Sequence, residues 1–179
     1  MQDILDEAVA QARPFLSQGK LAGYIPALNQ ADKNHLGASI QTIDGLLFSS
    51  GDTRIRFSIQ SISKIFSLIY VLNAVGIKKL LERVGVEPSG NPFYSLVQLE
   101  YESGKPRNPL INAGAIAVTS LIEGLDAAQR FSKLLGFLRI LSGNKDLKLK
   151  ENVYRSEAET SHRNRAVGHF MKHFGLIEG

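Results

Sequence analysis

The chain contains no cysteine. That excludes a thiol nucleophile, a thiolate-held metal and a disulfide framework, and it suits a reducing compartment. A secretory leader is lacking too: Met1-Gln2-Asp3-Ile4 is acidic and soon amphipathic, with no basic segment ahead of an apolar run. Nor is any apolar run long enough to span a bilayer. The most apolar stretch, Ile62 to Val75, is interrupted by Ser63, Lys64, Ser67 and Asn73. Charge of one sign is not in large excess, the formal net charge being +4. Much of that excess falls between Arg139 and Lys172, where it reads as a solvated helix face, because no nucleic-acid-binding motif accompanies it. These absences lead to the expectation of a cytoplasmic protein with no membrane and no nucleic-acid partner.

What is present suits a soluble globular domain: 179 residues, 44% hydrophobic and 21% charged. A chain of this size can bury a core without cross-links. Ile4, Leu5, Ala8, Val9, Ala12, Phe15 and Leu16 recur at helical spacing, limited by Pro14 and Gly19. Leu36 to Ile43 and Leu46 to Ser50 read as strands, and Asp44-Gly45 between them signals a hairpin. A strand-like run, Phe57-Ser58-Ile59, leads into a helix from about Ser61 to Val75. Gly76 stops that helix, and Ile62, Ile65, Phe66, Ile69 and Leu72 are its expected buried stripe.

Further helices are predicted at Lys78–Val84, Phe93–Glu102, Asn112–Ile122, Ala127–Leu141 and Glu157–Phe174, with loops at Pro88–Pro92 and Lys105–Pro109. The class is therefore α+β, a mostly helical block with one early hairpin. Two or three strands make a poor sheet by themselves. The hairpin is thus expected to belong to a mixed sheet whose other strands are absent before Gly179.

One motif has a spacing that suits chemistry. In Ser61-Ile62-Ser63-Lys64 the i and i+3 positions share a helix face, which puts a lysine amine within reach of a serine hydroxyl. A serine becomes a useful nucleophile when a neighbouring base takes its proton, and a lysine can be that base if its pKa is lowered. Free N–H groups at a helix start also stabilise an oxyanion. The tetrapeptide is not specific by itself. Ser17-Gln18-Gly19-Lys20 and Ser142-Gly143-Asn144-Lys145 repeat it, but both contain glycine and fall where helices end. A helix cap with a snorkelling lysine has the same spacing. His169 and His173 have metal-ligand spacing with no third ligand evident, and they read as surface histidines.

Longer blocks add to that tetrapeptide. Phe57-Ser58-Ile59-Gln60-Ser61-Ile62-Ser63-Lys64 closely resembles the active-site signature of the serine-dependent glutaminases. Pro106-Arg107-Asn108-Pro109-Leu110-Ile111-Asn112-Ala113-Gly114-Ala115 resembles their second signature, and Arg155-Ser156-Glu157 with Asn164 their third. Gly23-Tyr24-Ile25-Pro26-Ala27-Leu28 and Pro88-Ser89-Gly90-Asn91-Pro92-Phe93-Tyr94-Ser95-Leu96 match as well. The blocks come in the family's order and spread over most of the chain.

The resemblance implies a β-lactamase/transpeptidase-like fold and hydrolysis of L-glutamine to L-glutamate and ammonia through an acyl-serine intermediate. It implies Ser61 as nucleophile and Lys64 as the group that activates it. Asn112, Glu157 and Asn164 match positions that hold the substrate's amino-acid end, with Tyr24 and Gln60 as walls of the same pocket. Glutamine is a zwitterion, so its ammonium suits Glu157 and its carboxylate suits amide donors. Asn164, seven residues after Glu157 on the predicted helix, is expected on the same face, two turns on. No cofactor and no metal are implied.

The family's later parts, including tyrosines and a glycine-rich strand with an oxyanion N–H, have no counterpart here. Residues 1–179 are thus expected to be the N-terminal portion of a single catalytic domain. Alone they are expected to lack turnover and to be either poorly soluble or self-associated through an exposed hairpin edge with an uncovered apolar face; the protein is expected to be a homo-oligomer. Two other classes stay open. One is an inactive glutaminase-derived amino-acid-binding or interaction module. The other is a penicillin-recognising acyl-serine enzyme, disfavoured by the missing leader and by the residues around Asn112.

Overall fold

The computed structural model describes residues 1–178. Its backbone forms two compact units. The first is Met1–Ser58 with Lys150–Thr160, and the second is Ile59–Leu149 with the chain from Ser161 onward.

In the first unit, helix α1 spans Gln2–Ala12 and buries Leu5 and Val9, four residues apart on one face. Pro14 follows inside a 3-10 segment, Arg13–Gln18, which ends at Gly19, as the sequence leads one to expect. Strands β1 (Gly37–Gln41) and β2 (Leu47–Gly51) pair antiparallel, with Gly37 opposite Gly51 and Gln41 opposite Leu47. At the hairpin tip the Thr42 amide donates to the Leu46 carbonyl (2.9 Å) and the Gly45 amide to the Thr42 carbonyl (3.0 Å). Gly45 takes φ +89° there, so the Asp44-Gly45 signal marks a three-residue loop closed by a left-handed glycine. Gly51 is needed for a different reason: a Cβ would lie 2.2 Å from the Leu36 carbonyl oxygen.

Helix α1 packs against the hairpin, and Asp6 hydrogen-bonds Ser50 there. Ala38, Phe48 and Ser50 are half-buried, whereas Ser39, Gln41, Leu47 and Ser49 are exposed. The opposite face is therefore mainly polar, and the expectation of an uncovered apolar face is corrected: the alternation puts serines there. Helix α6 (Glu151–Thr160) completes the unit. It packs on a 3-10 turn at Pro26–Gln30, with Ile25 and Val153 buried and the Ala27 amide donating to Ser156 Oγ at 3.1 Å.

The second unit is helical. Helix α2 spans Ser63–Arg83 and is broken at Gly76 (φ +78°, ψ 167°), as predicted. Its buried face is not the predicted one. Ser67, Val71 and Leu80 are buried, while Ile62, Ile65 and Ile69 are 49%, 50% and 38% exposed. The helix is apolar almost all round, so its own pattern could not choose a face. The partner chose it. Helix α4 (Asn112–Ser120) is rich in alanine and glycine and packs on α2, so its small side chains admit close approach. The buried Ser67 hydroxyl is satisfied by the Lys64 carbonyl at 3.0 Å.

The segment Phe93–Glu102 also differs from expectation. Only Val97–Tyr101 is helical (α3), because Pro92 to Ser95 closes a turn, Ser95 N–H to Pro92 O at 2.9 Å. Helix α5 (Ala127–Ser142) is capped by Asp126, which accepts the Gln129 amide at 2.8 Å, and ends at left-handed Gly143. Helix α7 (His162–His173) buries Val167 and Met171 with Leu99, Ala113 and Ala117. A second cluster joins Val71, Leu80, Val84, Val118 and Ile122.

The predicted single helix Glu157–Phe174 is two helices, α6 and α7, divided at Ser161 (φ −78°, ψ 27°). The Thr160 hydroxyl bonds back to the Ser156 carbonyl at 2.9 Å. Hydroxyl residues in succession compete for the backbone and favour such a break. Glu157 and Asn164 therefore do not share a helix face. Among the described residues, no helix is long and apolar enough to cross a membrane.

Candidate functional site

The strand-like reading of Phe57–Ile59 is corrected: these residues are not in a strand. They lead into a 3-10 turn at Gln60–Ile62 that carries Ser61, with Ile62 at the N-cap of α2. Gln60 has φ +43°, an uncommon conformation for a residue with a side chain. Ser63 Oγ donates to the Gln60 carbonyl at 2.7 Å and ties the turn to α2. Ser61 is exposed. It thus stands one turn ahead of the α-helix proper, not at its first α-helical position.

Lys64 lies on the first turn of α2 and is partly buried. Its Nζ donates to the Leu110 carbonyl at 2.9 Å and to Asn112 Oδ1 at 2.8 Å. The Phe93 ring lies with its centroid 5.5 Å from Nζ. Partial burial holds the ammonium below its ordinary pKa. A lysine so placed can lose its proton more easily than a solvated one.

The loop before α4 provides both acceptors, and its residues explain why. Asn108 Oδ1 accepts the amides of Leu110 (3.0 Å) and Ile111 (3.2 Å), an Asx-type turn. Its Nδ2 donates to the Glu87 carbonyl at 3.0 Å. A Cβ on Gly114 would lie 1.8 Å from the Asn108 carbonyl oxygen, so only glycine lets the loop rest on α4. The Asn112 amide donates to the Phe93 carbonyl at 2.9 Å. Asn112 Nδ2 donates to Asn164 Oδ1 on α7 at 3.3 Å. With Oδ1 taken by Lys64 and Nδ2 by Asn164, the Asn112 amide has a defined orientation.

Of the residues singled out in the sequence, Gln60, Ser61, Lys64, Asn112 and Asn164 belong to the second unit. The structure joins Lys64, Asn112 and Asn164 in one hydrogen-bonded chain. Tyr24 and Glu157 belong to the first unit, where the Ala27–Ser156 hydrogen bond draws their two segments together. Tyr24 is 69% exposed and Glu157 half-buried. Two contributors escaped the sequence reading. The Leu110 carbonyl is a backbone group with no residue-type signal. Phe93 carried a signal only as part of a quoted block.

A hydroxyl one turn before a partly desolvated lysine, beside a fixed amide, is the grouping that a serine–lysine acyl-transfer site requires. The comparisons with known proteins name a family. A family model described as glutaminase matches residues 19–179. A glutaminase of Clostridium botulinum (strain Hall) is 45% identical over 180 residues, covering 100% of this chain and 59% of the relative. The crystal structure of a Bacillus subtilis probable glutaminase superposes with TM-score 0.88 at 36% identity, over 99% of this chain and 54% of that one. The chain also resembles, at 34% identity and TM-score 0.83, a Bacillus subtilis glutaminase solved as a covalent complex with 5-oxo-L-norleucine. That complex formed by reaction with 6-diazo-5-oxo-L-norleucine, and the likeness covers 99% of this chain and 55% of that one.

The chain belongs to the glutaminase family. It spans 59% of the length of the curated relative it matches.

Proposed function

We propose that the protein is a glutaminase that hydrolyses L-glutamine to L-glutamate and ammonia, with Ser61 as nucleophile and Lys64 as its base. The observation that carries this reading is the anchored, partly desolvated Lys64 one turn after Ser61, in a chain of this family. In the first step Ser61 Oγ attacks the side-chain amide carbon while its proton passes to neutral Lys64 Nζ. The tetrahedral intermediate collapses, the C–N bond breaks, and Lys64 returns the proton to the departing nitrogen, which leaves as ammonia. Water then attacks the acyl ester. The water gives one proton to Lys64 Nζ, which passes it to Ser61 Oγ as the ester C–O bond breaks and glutamate leaves.

Tyr24, Gln60, Asn112, Glu157 and Asn164 are assigned to substrate binding, with the Glu157 carboxylate taking the substrate ammonium. Asn164 has its Oδ1 occupied by Asn112, which favours its use as an N–H donor toward a carboxylate. The covalent complex of the Bacillus relative, in which the diazo nitrogen is lost and the 5-oxo group kept, supports a nucleophile placed beside the reactive end of a glutamine analogue. By the same reasoning the chain is the N-terminal portion of a single β-lactamase-like catalytic domain. It works in the cytoplasm without a cofactor, as a homo-oligomer.

Ammonia release from L-glutamine by the complete protein tests the reading. Ser61→Ala and Lys64→Ala should each lower turnover by roughly 10⁴-fold or more, as losses from a catalytic unit do, with melting unchanged. Near-normal release from the Ser61→Ala variant would sink it.

A further inference from the structure

Asn108 lies outside every role assigned so far, yet three of its polar atoms are engaged. Oδ1 receives the Leu110 and Ile111 amides, Nδ2 donates to Glu87, and its carbonyl oxygen sits against Gly114 where no Cβ fits. The group this turn presents is the Leu110 carbonyl, 2.9 Å from Lys64 Nζ.

The arithmetic of a lysine amine gives that contact a meaning. Protonated Nζ carries three N–H groups; neutral Nζ carries two N–H groups and one lone pair. Two fixed acceptors, Leu110 O and Asn112 Oδ1, match the two N–H groups of the neutral form. Nitrogen is tetrahedral, so the lone pair then occupies the one direction left by Cε and the two donated hydrogens. An amine with only one fixed acceptor would rotate about Cε–Nζ and spread its lone pair over several directions.

We propose that Asn108 is a positioning residue for Lys64: its Asx turn aims the Leu110 carbonyl, which with Asn112 Oδ1 fixes the direction of the neutral amine's lone pair. The inference rests on the role of Lys64 as base to Ser61. It extends that reading to a residue that touches neither group. Geometry of this kind matters because proton transfer needs the acceptor orbital aligned, and misplacement by about 1 Å can cost on the order of 100-fold in rate.

Two variants separate the idea from a general effect on folding. Asn108→Ala loses the acceptor for both amides. Asn108→Asp keeps an acceptor for them, loses the donation to Glu87 and adds a negative charge, whose effect on protonation is removed by comparing rates at the pH plateau. The chain is labelled with ¹³C,¹⁵N-lysine, and the Lys64 signal is identified by its loss in Lys64→Arg. The two Hε protons of Lys64 should be resolved in wild type and in Asn108→Asp, and should merge in Asn108→Ala as the side chain begins to rotate. In parallel, modification of Ser61 by 6-diazo-5-oxo-L-norleucine is followed by mass spectrometry, at a pH where the rate no longer rises. The maximal rate should fall about 10- to 100-fold in Asn108→Ala with little change in half-saturating concentration, and Asn108→Asp should stay near wild type.

Resolved Hε protons and an unchanged maximal rate in Asn108→Ala would overturn the inference while leaving Ser61 and Lys64 in their roles. Equal losses in Asn108→Ala and Asn108→Asp would overturn it as well, pointing to Glu87 instead. These measurements use the complete protein, and complete wild type in which Ser61 resists modification would bring down the proposed function itself, and this inference with it.

Discussion

The two units hold the residues singled out in the sequence in different ways. In the second, Lys64, Asn112 and Asn164 are bonded to one another, and a glycine-dependent loop holds the Leu110 carbonyl on the same lysine. In the first, Tyr24 is 69% exposed, and among the described residues no ion pair or hydrogen bond engages the Glu157 carboxylate. Under the proposed roles, the contrast follows the chemistry each group would do. Groups that exchange a proton within the protein must be aimed before substrate arrives, since reorganisation during the step costs rate. A carboxylate meant for a ligand's ammonium keeps its acceptors open until the ligand comes. In those proposed roles, Lys64 is aimed before substrate arrives and the Glu157 carboxylate stays open to a ligand.

The sharpest way to break the comparison is to spoil the pre-aimed half. Gly114→Ala would drive a Cβ to 1.8 Å from the Asn108 carbonyl, so the loop must lift from α4. A loss of about 3 kcal/mol or more in stability is expected from such overpacking, read by urea unfolding. A variant as stable as wild type would mean the loop is not held as described. The open half should respond differently. Glu157→Gln should weaken kcat/KM for glutamine by about 1.5–3 kcal/mol, the scale of a charge-assisted bond to a ligand, with no change in melting temperature. If the variant melts early but uses glutamine normally, Glu157 is structural and the contrast collapses.

Acid and base response adds a third test. The Lys64 pKa is lowered in the folded chain, so between that value and the ordinary lysine value of 10.5 the unfolded chain binds more protons. Stability from this group therefore falls as pH drops through that window and is level below it. Replacing it, as in Lys64→Met, should remove that part of the alkaline pH slope in denaturant unfolding, and an unchanged slope would contradict the desolvation. The smallest effect is expected on the exposed side of α2. Ile65 is 50% exposed, so Ile65→Gln should change stability by no more than about 0.5 kcal/mol. A loss of several times that size would restore the stripe read from the sequence.

Much of the local structure was legible. Asp44-Gly45 marked the hairpin, Gly76 the break in α2, Pro14 and Gly19 the end of the first helix, and Gly143 the end of α5. Each depends on one residue and its neighbours, which is information a sequence carries directly. The misreadings share a cause as well. Ile62, Ile65 and Ile69 were assigned to the core because they are apolar and helically spaced, but a helix with apolar residues on every side cannot say which side has a neighbour. The single helix from Glu157 to Phe174 failed at Thr160-Ser161, where hydroxyls divert backbone hydrogen bonds and the pattern of apolar residues gives no warning.

By itself the sequence determined the family, through blocks in order that local chemistry makes specific, and it put Ser61 and Lys64 one helical turn apart. Only the tertiary structure decided what surrounds Lys64. The Leu110 carbonyl, 46 residues away, and Asn112 Oδ1 reach it because Gly114 lets the preceding loop lie on α4 and α4 lies on α2. A backbone carbonyl is the same in every residue. Its direction is set by the folded loop, and no residue name can encode it alone.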